Sequence, residues 1–366
     1  MVTHETRMIP KGQMTTQAID HLLVIGFGGP PRPEDVQPFL QYVAQGVAQD
    51  HPIPRPNASP KAMARPKGRA VSLRDTVLGR GTIPAARLAE VARHYARAGG
   101  ASPYNGHVRR FVDELSARLG EADVSLPVFI GLRNWHPFLR ETLQEIRNRG
   151  LQRGVGLILA PHRCAASFER YVENVNQAKA DVGGEGIRYD YLKPWHDHPL
   201  FIQAQADRVR TVLDSQAAPA RETTLVFSAH SIPVEMARRS QYEAAFRDSS
   251  QRVAQALQHD DWRLAYQSRS GPPTQPWLEP DVCAVLRTLK TQGKRAAVLV
   301  PIGFLSDHIE ILYDLDVEAR EEAERLGLRY LRAPTVMDHP QFVEMFVQLI
   351  QAHLGRPVRM VQCPHG

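Results

Sequence analysis

The stretch PFLRETLQEIRNRGLQRGVGLILAP (residues 137–161) contains, in order, a helix, a stop and a strand. Phe138, Leu139, Leu143 and Ile146 recur at helical spacing and share one face, and Gly150 follows as a C-terminal stop. VGLILAP (155–161) is then a continuous apolar run, the pattern of a parallel strand buried on both faces. The same order recurs in PWLEPDVCAVLRTLKTQGKRAAVLVP (276–301): a helix opened by Pro-aromatic-Leu, a glycine stop and a buried strand. LVIGFGGP (23–30) likewise resembles LVFSAHSIP (225–233), so two similar α/β halves are expected.

Further apolar runs at 21–27, 126–132, 223–229, 263–267 and 296–302 read as strands separated by amphipathic segments. Parallel sheets of this kind bind ligands beyond the carboxyl ends of their strands. That rule sets Phe27 to Pro30 and His230 to Pro233 on opposite walls of one cleft. The expected domains are 21–190 and 191–335, followed by a C-terminal helix at 336–355. A flexible segment at 1–20 and a loose tail at 356–366 flank them. Residues 47–78 are rich in proline and basic side chains and read as an inserted, exposed loop.

Composition limits the function. The chain has 366 residues, 43% of them hydrophobic, enough for two cores. No run reaches the ~18 apolar residues of a membrane span, and the first twenty residues lack the apolar core of a signal peptide. A cytoplasmic protein is expected. Cys164, Cys283 and Cys363 are scattered and cannot supply four ligands to an iron–sulfur cluster. The net charge of +6 is not gathered into a basic stripe, which favours small anionic ligands over nucleic acid.

One acidic pattern stands out. In VPIGFLSDHIEILYDLDVEA (300–319) a buried strand gives way to Glu310, Asp314 and Glu318, four residues apart. On an α-helix these drift by ~40° per step, whereas a π-type turn brings them nearly into line. A solvated face is the ordinary reading of such a ridge. Its position just past a strand end suggests instead carboxylates whose repulsion is relieved by a cation or by protons. His230, at the end of another buried strand, faces them across the inferred cleft. An imidazole of near-neutral pKa there can take a proton or ligate a borderline metal, and Glu310 can share either task.

FSAHSIP (227–233), YQSRSGPPTQPWLEPDV (266–282) and VPIGFLSDHIEILYDLD (300–316) resemble the most diagnostic motifs of the ferrochelatase family, and GGASPYN (99–105) and GLRNWHPF (131–138) resemble two more. The similarity runs from about residue 21 to 354. It implies two Rossmann-like, chelatase-type domains, each a parallel sheet flanked by helices, with the active-site cleft between them. It also implies insertion of ferrous iron into a porphyrin, with iron as substrate and no resident cofactor. Carried over position by position, the catalytic histidine falls on His230 and its glutamate partner on Glu310, both also metal-facing. The acidic line toward the surface falls on Asp314 and Glu318.

Residues 79–105 are most similar to the bacterial coproporphyrin type, which implies porphyrin contacts at Phe27, His94, Tyr95, Ser102 and Tyr171. Phe27 stands where several relatives carry a tyrosine that can ligate product iron, so no such axial contact is expected. His94 replaces an arginine of some relatives, with Arg93 adjacent. Coproporphyrin III is therefore the expected substrate and protoporphyrin IX the alternative. More distant alternatives are a cobalt or nickel tetrapyrrole chelatase and a non-catalytic tetrapyrrole carrier. The pairing of His230 with Glu310 speaks against the carrier. The implied partners are porphyrin, ferrous iron and, transiently, neighbouring haem-pathway enzymes, without nucleic acid or integral membrane association.

Overall fold

The computed structural model describes residues 18–44, 85–215, 222–271 and 274–358. The insertion at 47–78 and most of the two end segments lie outside the described residues. Eight strands form two separate four-stranded sheets. Strands β1 (His21–Gly26), β2 (Val128–Leu132), β3 (Arg153–Ile158) and β4 (Arg188–Tyr191) are ordered β2-β1-β3-β4. Strands β5 (Thr223–His230), β6 (Trp262–Gln267), β7 (Ala296–Val300) and β8 (Arg329–Arg332) are ordered β6-β5-β7-β8. Every pairing is parallel, and the central strands β1, β5 and β7 are buried almost throughout.

The two halves match in topology strand for strand, as the repeat implied, but the register differs from the sequence reading. The helices Leu139–Asn148 and Val282–Thr291, the glycine stops Gly150 and Gly293, and the strand starts Arg153 and Ala296 all stand 143 positions apart. The first helix is therefore matched by one that opens at Val282, with the Asp281 carboxylate capping it at Cys283 N. Pro276-Trp277-Leu278, read from sequence as the helix opening, instead precedes the helix as an irregular segment in which Trp277 bridges to Pro233. Past β3 and β7 the halves again agree. A π-helical turn (Ala165–Glu169 and Asp314–Ala319) leads into an α-helix (Arg170–Asp181 and Arg320–Leu326) in each.

One interior serves both halves. Its largest cluster joins Leu22, Val24 and Val155 of the first sheet to Leu225, Phe227 and Val298 of the second. The helix Pro340–His353 closes it from the outside, with Phe342, Met345, Phe346 and Ile350 fully buried. Phe346 meets Phe111 of the helix Tyr104–Glu121 at a ring separation of 5.4 Å and Trp195 at 5.4 Å. Each such side chain contributes about 2 kcal/mol of burial. A smaller cluster packs the helices Val36–Ala44 and Ala85–Arg97 over Trp135 and Ile309, spanning the ends of both sheets.

Candidate active site

The strand ends bring His230 and Glu310 together. His230 closes β5, and Glu310 lies in the first turn of the short helix Ile309–Leu312 beyond β7, which is β5's neighbour. His230 Nε2 stands 3.5 Å from Glu310 Oε1. His230 Nδ1 faces the carbonyl oxygen of Ser231. A carbonyl only accepts, so Nδ1 carries a hydrogen and Nε2 is the nitrogen that titrates. The ring lies deep in the recess, with 32% of its side chain open to solvent. The backbone around the pair is fixed from both sides. Tyr242 Oη donates to His230 O at 2.8 Å, and Gln267 Nε2 donates to Glu310 O at 2.6 Å.

Burial alone would push the His230 pKa down. The Glu310 carboxylate and its hydrogen bond, the Ser231 carbonyl and Asp314 outweigh that and raise it to about 9. These neighbours favour the imidazolium form of the unliganded site at neutral pH. His308, two residues before Glu310, takes the opposite state. It accepts from Glu310 N at 3.3 Å through Nδ1, and burial holds its pKa below the usual value.

The acidic ridge is half α-helical and half π-helical. Glu310 belongs to the short α-helix, while Asp314 and Glu318 lie on the π-turn Asp314–Ala319. Burial, opposed by a hydrogen bond donated from Ser268, pushes the Asp314 carboxyl up to about 7, with Glu310 and Glu318 adding repulsion. Ser268 makes that bond from a left-handed backbone conformation (φ 61°), which aims a short side chain back at the ridge. Glu318 is exposed, and its pKa is raised by partial burial and by Asp281. The ridge thus runs outward from a buried group that titrates near neutrality to one in contact with solvent.

The opposite wall is apolar. Phe27 follows β1 with 42% of its surface exposed, unusual for a large hydrophobic side chain in this chain. Its backbone N–H donates to Tyr104 Oη at 3.0 Å. Glycine is required beside it. A Cβ on Gly29 would meet Ser102 Oγ at 2.7 Å, and Gly28 has φ 84° against the backbone of Trp135.

The remaining expected porphyrin contacts are distributed differently. Ser102 is buried beneath the Phe27 turn and donates its N–H to Pro30 O at 2.8 Å. Tyr95, 3% exposed, is a core residue between the helices Val36–Ala44 and Ala85–Arg97. Tyr171 is buried under β1 with Leu23, Ile25 and Phe129. His94 stacks flat on Tyr313, with ring centroids 3.7 Å apart and planes 6° from parallel. Among these five only Phe27 offers a broad surface to the cleft. Gln267, Ser268 and Tyr242 were not singled out from sequence. Gln267 ends β6 and Ser268 follows it, beside the end of β5 through the pairing of His230 with Gln267, and that adjacency is the signal that could have found them.

Chemically, the charged wall can hold a proton or a metal ion between two ligand atoms, but not both. An ion bonded at ~2.1 Å to atoms 3.5 Å apart would subtend about 110°, an ordinary angle for mixed imidazole and carboxylate ligation. The Nε2 lone pair must shed its proton first.

A profile of the ferrochelatase family matches residues 69–354. The chain is 36% identical over 338 residues to the ferrochelatase of Rhodopirellula baltica, covering 92% of this chain and 87% of that one. It is 38% identical over 342 residues to the coproporphyrin III ferrochelatase of Mycobacteroides abscessus, covering 92% and 90%. To that of Nocardia farcinica it is 36% identical over 349 residues, covering 92% and 89%. The protein belongs to the ferrochelatase family, whose members are metal-inserting enzymes.

Proposed function

We propose that this protein inserts ferrous iron into coproporphyrin III to give Fe-coproporphyrin III, releasing two protons, as a step of haem biosynthesis in the cytoplasm. The observation that carries the reading is the His230–Glu310 pair at 3.5 Å, facing the cleft from the strand ends. Phe27 supplies an apolar face for a flat macrocycle on the other wall.

In the resting state His230 is an imidazolium paired with Glu310. An arriving dication repels that proton, and Asp314, which titrates near 7, is placed to receive it and return it to solvent by way of Glu318. Nε2, once free, accepts the two pyrrole protons in turn, passing the first to Asp314 and on to solvent before taking the second, as iron leaves its carboxylate for the macrocycle. His230 and Asp314 thus work as a proton outlet, and Glu310 as the last carboxylate the metal touches. No resident cofactor takes part in this reading. The chain's three cysteines are one short of a cluster ligand set.

Coproporphyrin III is favoured over protoporphyrin IX by relatives that bear the name coproporphyrin III ferrochelatase at 35–38% identity. Among the described residues no helix is long and apolar enough to cross a membrane, which suits the more polar, four-propionate substrate. Steady-state kinetics with both porphyrins and ferrous iron under anaerobic conditions test this. We expect kcat/KM for coproporphyrin III at least ~10-fold above that for protoporphyrin IX. A preference for protoporphyrin IX would overturn the substrate and leave the metal chemistry standing.

A further inference from the structure

Arg133 follows β2 at the turn that touches Phe27. Its N–H donates to Gly26 O at 3.0 Å, and the next residue, Asn134, donates to Phe27 O at 2.9 Å. Most arginines here pair with a carboxylate, as Arg332 does with Asp316 at 2.7 Å and Arg153 with Asp190 at 3.0 Å. Among the described residues no carboxylate lies within ion-pair distance of Arg133, and its buried Nε has no hydrogen-bond partner. The amide nitrogen of Asn134, 3% exposed, also lacks an acceptor.

The surroundings do not neutralise this charge. Tyr171 and Tyr42 are phenols held neutral by burial. The nearby carboxylate Glu173 stands 3.6 Å from Arg170, a second buried guanidinium. Burial holds the Arg133 pKa below the usual arginine range. A half-buried guanidinium whose Nε has lost water without gaining a partner is under-satisfied, and a bound anion would relieve that.

We propose that Arg133, with Asn134 beside it, forms an anion subsite at the foot of the Phe27 wall that receives one carboxylate arm of the tetrapyrrole substrate. The inference rests on the porphyrin reading above and adds a residue to it. A guanidinium suits the role because it presents several N–H groups in a plane and pairs with a carboxylate through two parallel bonds. With the macrocycle lying on Phe27 at one edge of this turn, an arm carried at its rim meets Arg133 at the other. The ring's orientation above His230 would follow from that anchor.

The test compares the intact chain with R133M and R133K, using fluorescence titration with coproporphyrin III and with its tetramethyl ester in the same detergent buffer. R133M should weaken the free acid at least ~10-fold and the ester by less than about twofold, with R133K between wild type and R133M for the acid. Thermal unfolding supplies an independent readout. Because R133M removes an uncompensated charge, its apo Tm should equal or exceed that of wild type. Equal losses for acid and ester, or a Tm lowered in R133M and restored in R133K, would overturn the subsite and make Arg133 a structural residue. If wild type bound neither porphyrin, the porphyrin reading itself would fall, a result distinct from selective indifference of R133M.

Discussion

The two halves of this molecule end their central strands in the same place and present opposite chemistry there. β1 runs into Phe27 and two glycines, an apolar surface held by a buried tyrosine. β5 runs into His230, a cation set among carboxylates. Strand order, parallel pairing and the π-turn after the third strand are shared, so the backbone does not account for the difference. The contrast comes from a handful of side chains at the strand ends. A repeated sheet supplies two equivalent strand ends; in the function proposed above one serves as a platform and the other as a reactive wall.

The strongest way to break this division of labour is His230→Ala. Insertion of ferrous iron should fall by at least ~10²-fold while porphyrin affinity stays within a few-fold, since binding is assigned to the other wall. Stopped-flow turnover and equilibrium titration on one preparation separate the two. A variant that lost affinity as much as turnover would dissolve the comparison.

Glu310→Gln should slow insertion nearly as much and should leave a second mark. Glu310 is the main group raising the His230 pKa, so removing its charge drops that pKa from about 9 toward its ordinary value near 6.5. The sign follows for stability. The pair's contribution is full below about pH 6.5 and fades as pH rises through 9, so wild type and E310Q should differ most in Tm at acid pH and converge above 9. Imidazole resonances in NMR titrations report the pKa directly, and an unchanged His230 pKa in E310Q would refute the electrostatic account.

Phe27→Ala probes the platform. Removing an exposed aromatic face should raise KM by about tenfold and leave kcat nearly unchanged. A fall in kcat alone would move Phe27 to the reactive side.

The smallest effect belongs to Asp314→Asn. The Asp314 carboxyl titrates near 7 in the fold against 3.8 when free, so ionising it costs stability as pH rises through that window. D314N should be more stable than wild type at pH 8, by no more than about 4 kcal/mol, and indistinguishable below pH 4. Turnover should drop only several-fold. Greater instability of D314N at pH 8 would mean that the Ser268 bond outweighs the buried charge.

Much of this was legible in the amino-acid order. Six strands could be read because continuous apolar runs buried on both faces have few other uses; His230 stood out as a titratable group ending such a run, and Glu310 as the first of three carboxylates four residues apart beyond another. β4 and β8 escaped notice. Their segments, Arg188–Tyr191 and Arg329–Arg332, are edge strands of four residues with charged side chains at two of the four positions, too short and too polar to read as apolar runs. The repeat was visible but four residues out of register at its second helix, because Pro276-Trp277-Leu278 imitates Pro137-Phe138-Leu139 more closely than Pro280-Asp281-Val282 does. Charge state was beyond reach altogether. The same residue type is an imidazolium at 230 and held below its usual pKa at 308, and only the neighbours decide which.

The helix Pro340–His353 has a consequence for how the protein takes up heat. By laying Phe342, Met345 and Phe346 into an interior that both sheets share, it joins their inner faces into one cluster, while each outer face keeps a cluster of its own. A calorimetric scan should therefore show one endotherm instead of two, with melting of either sheet dragging the other along. At the rim, the His94–Tyr313 stack and the Arg97–Glu321 ion pair add side-chain ties from the helix Ala85–Arg97 to the second half, so that helix should melt with the sheets.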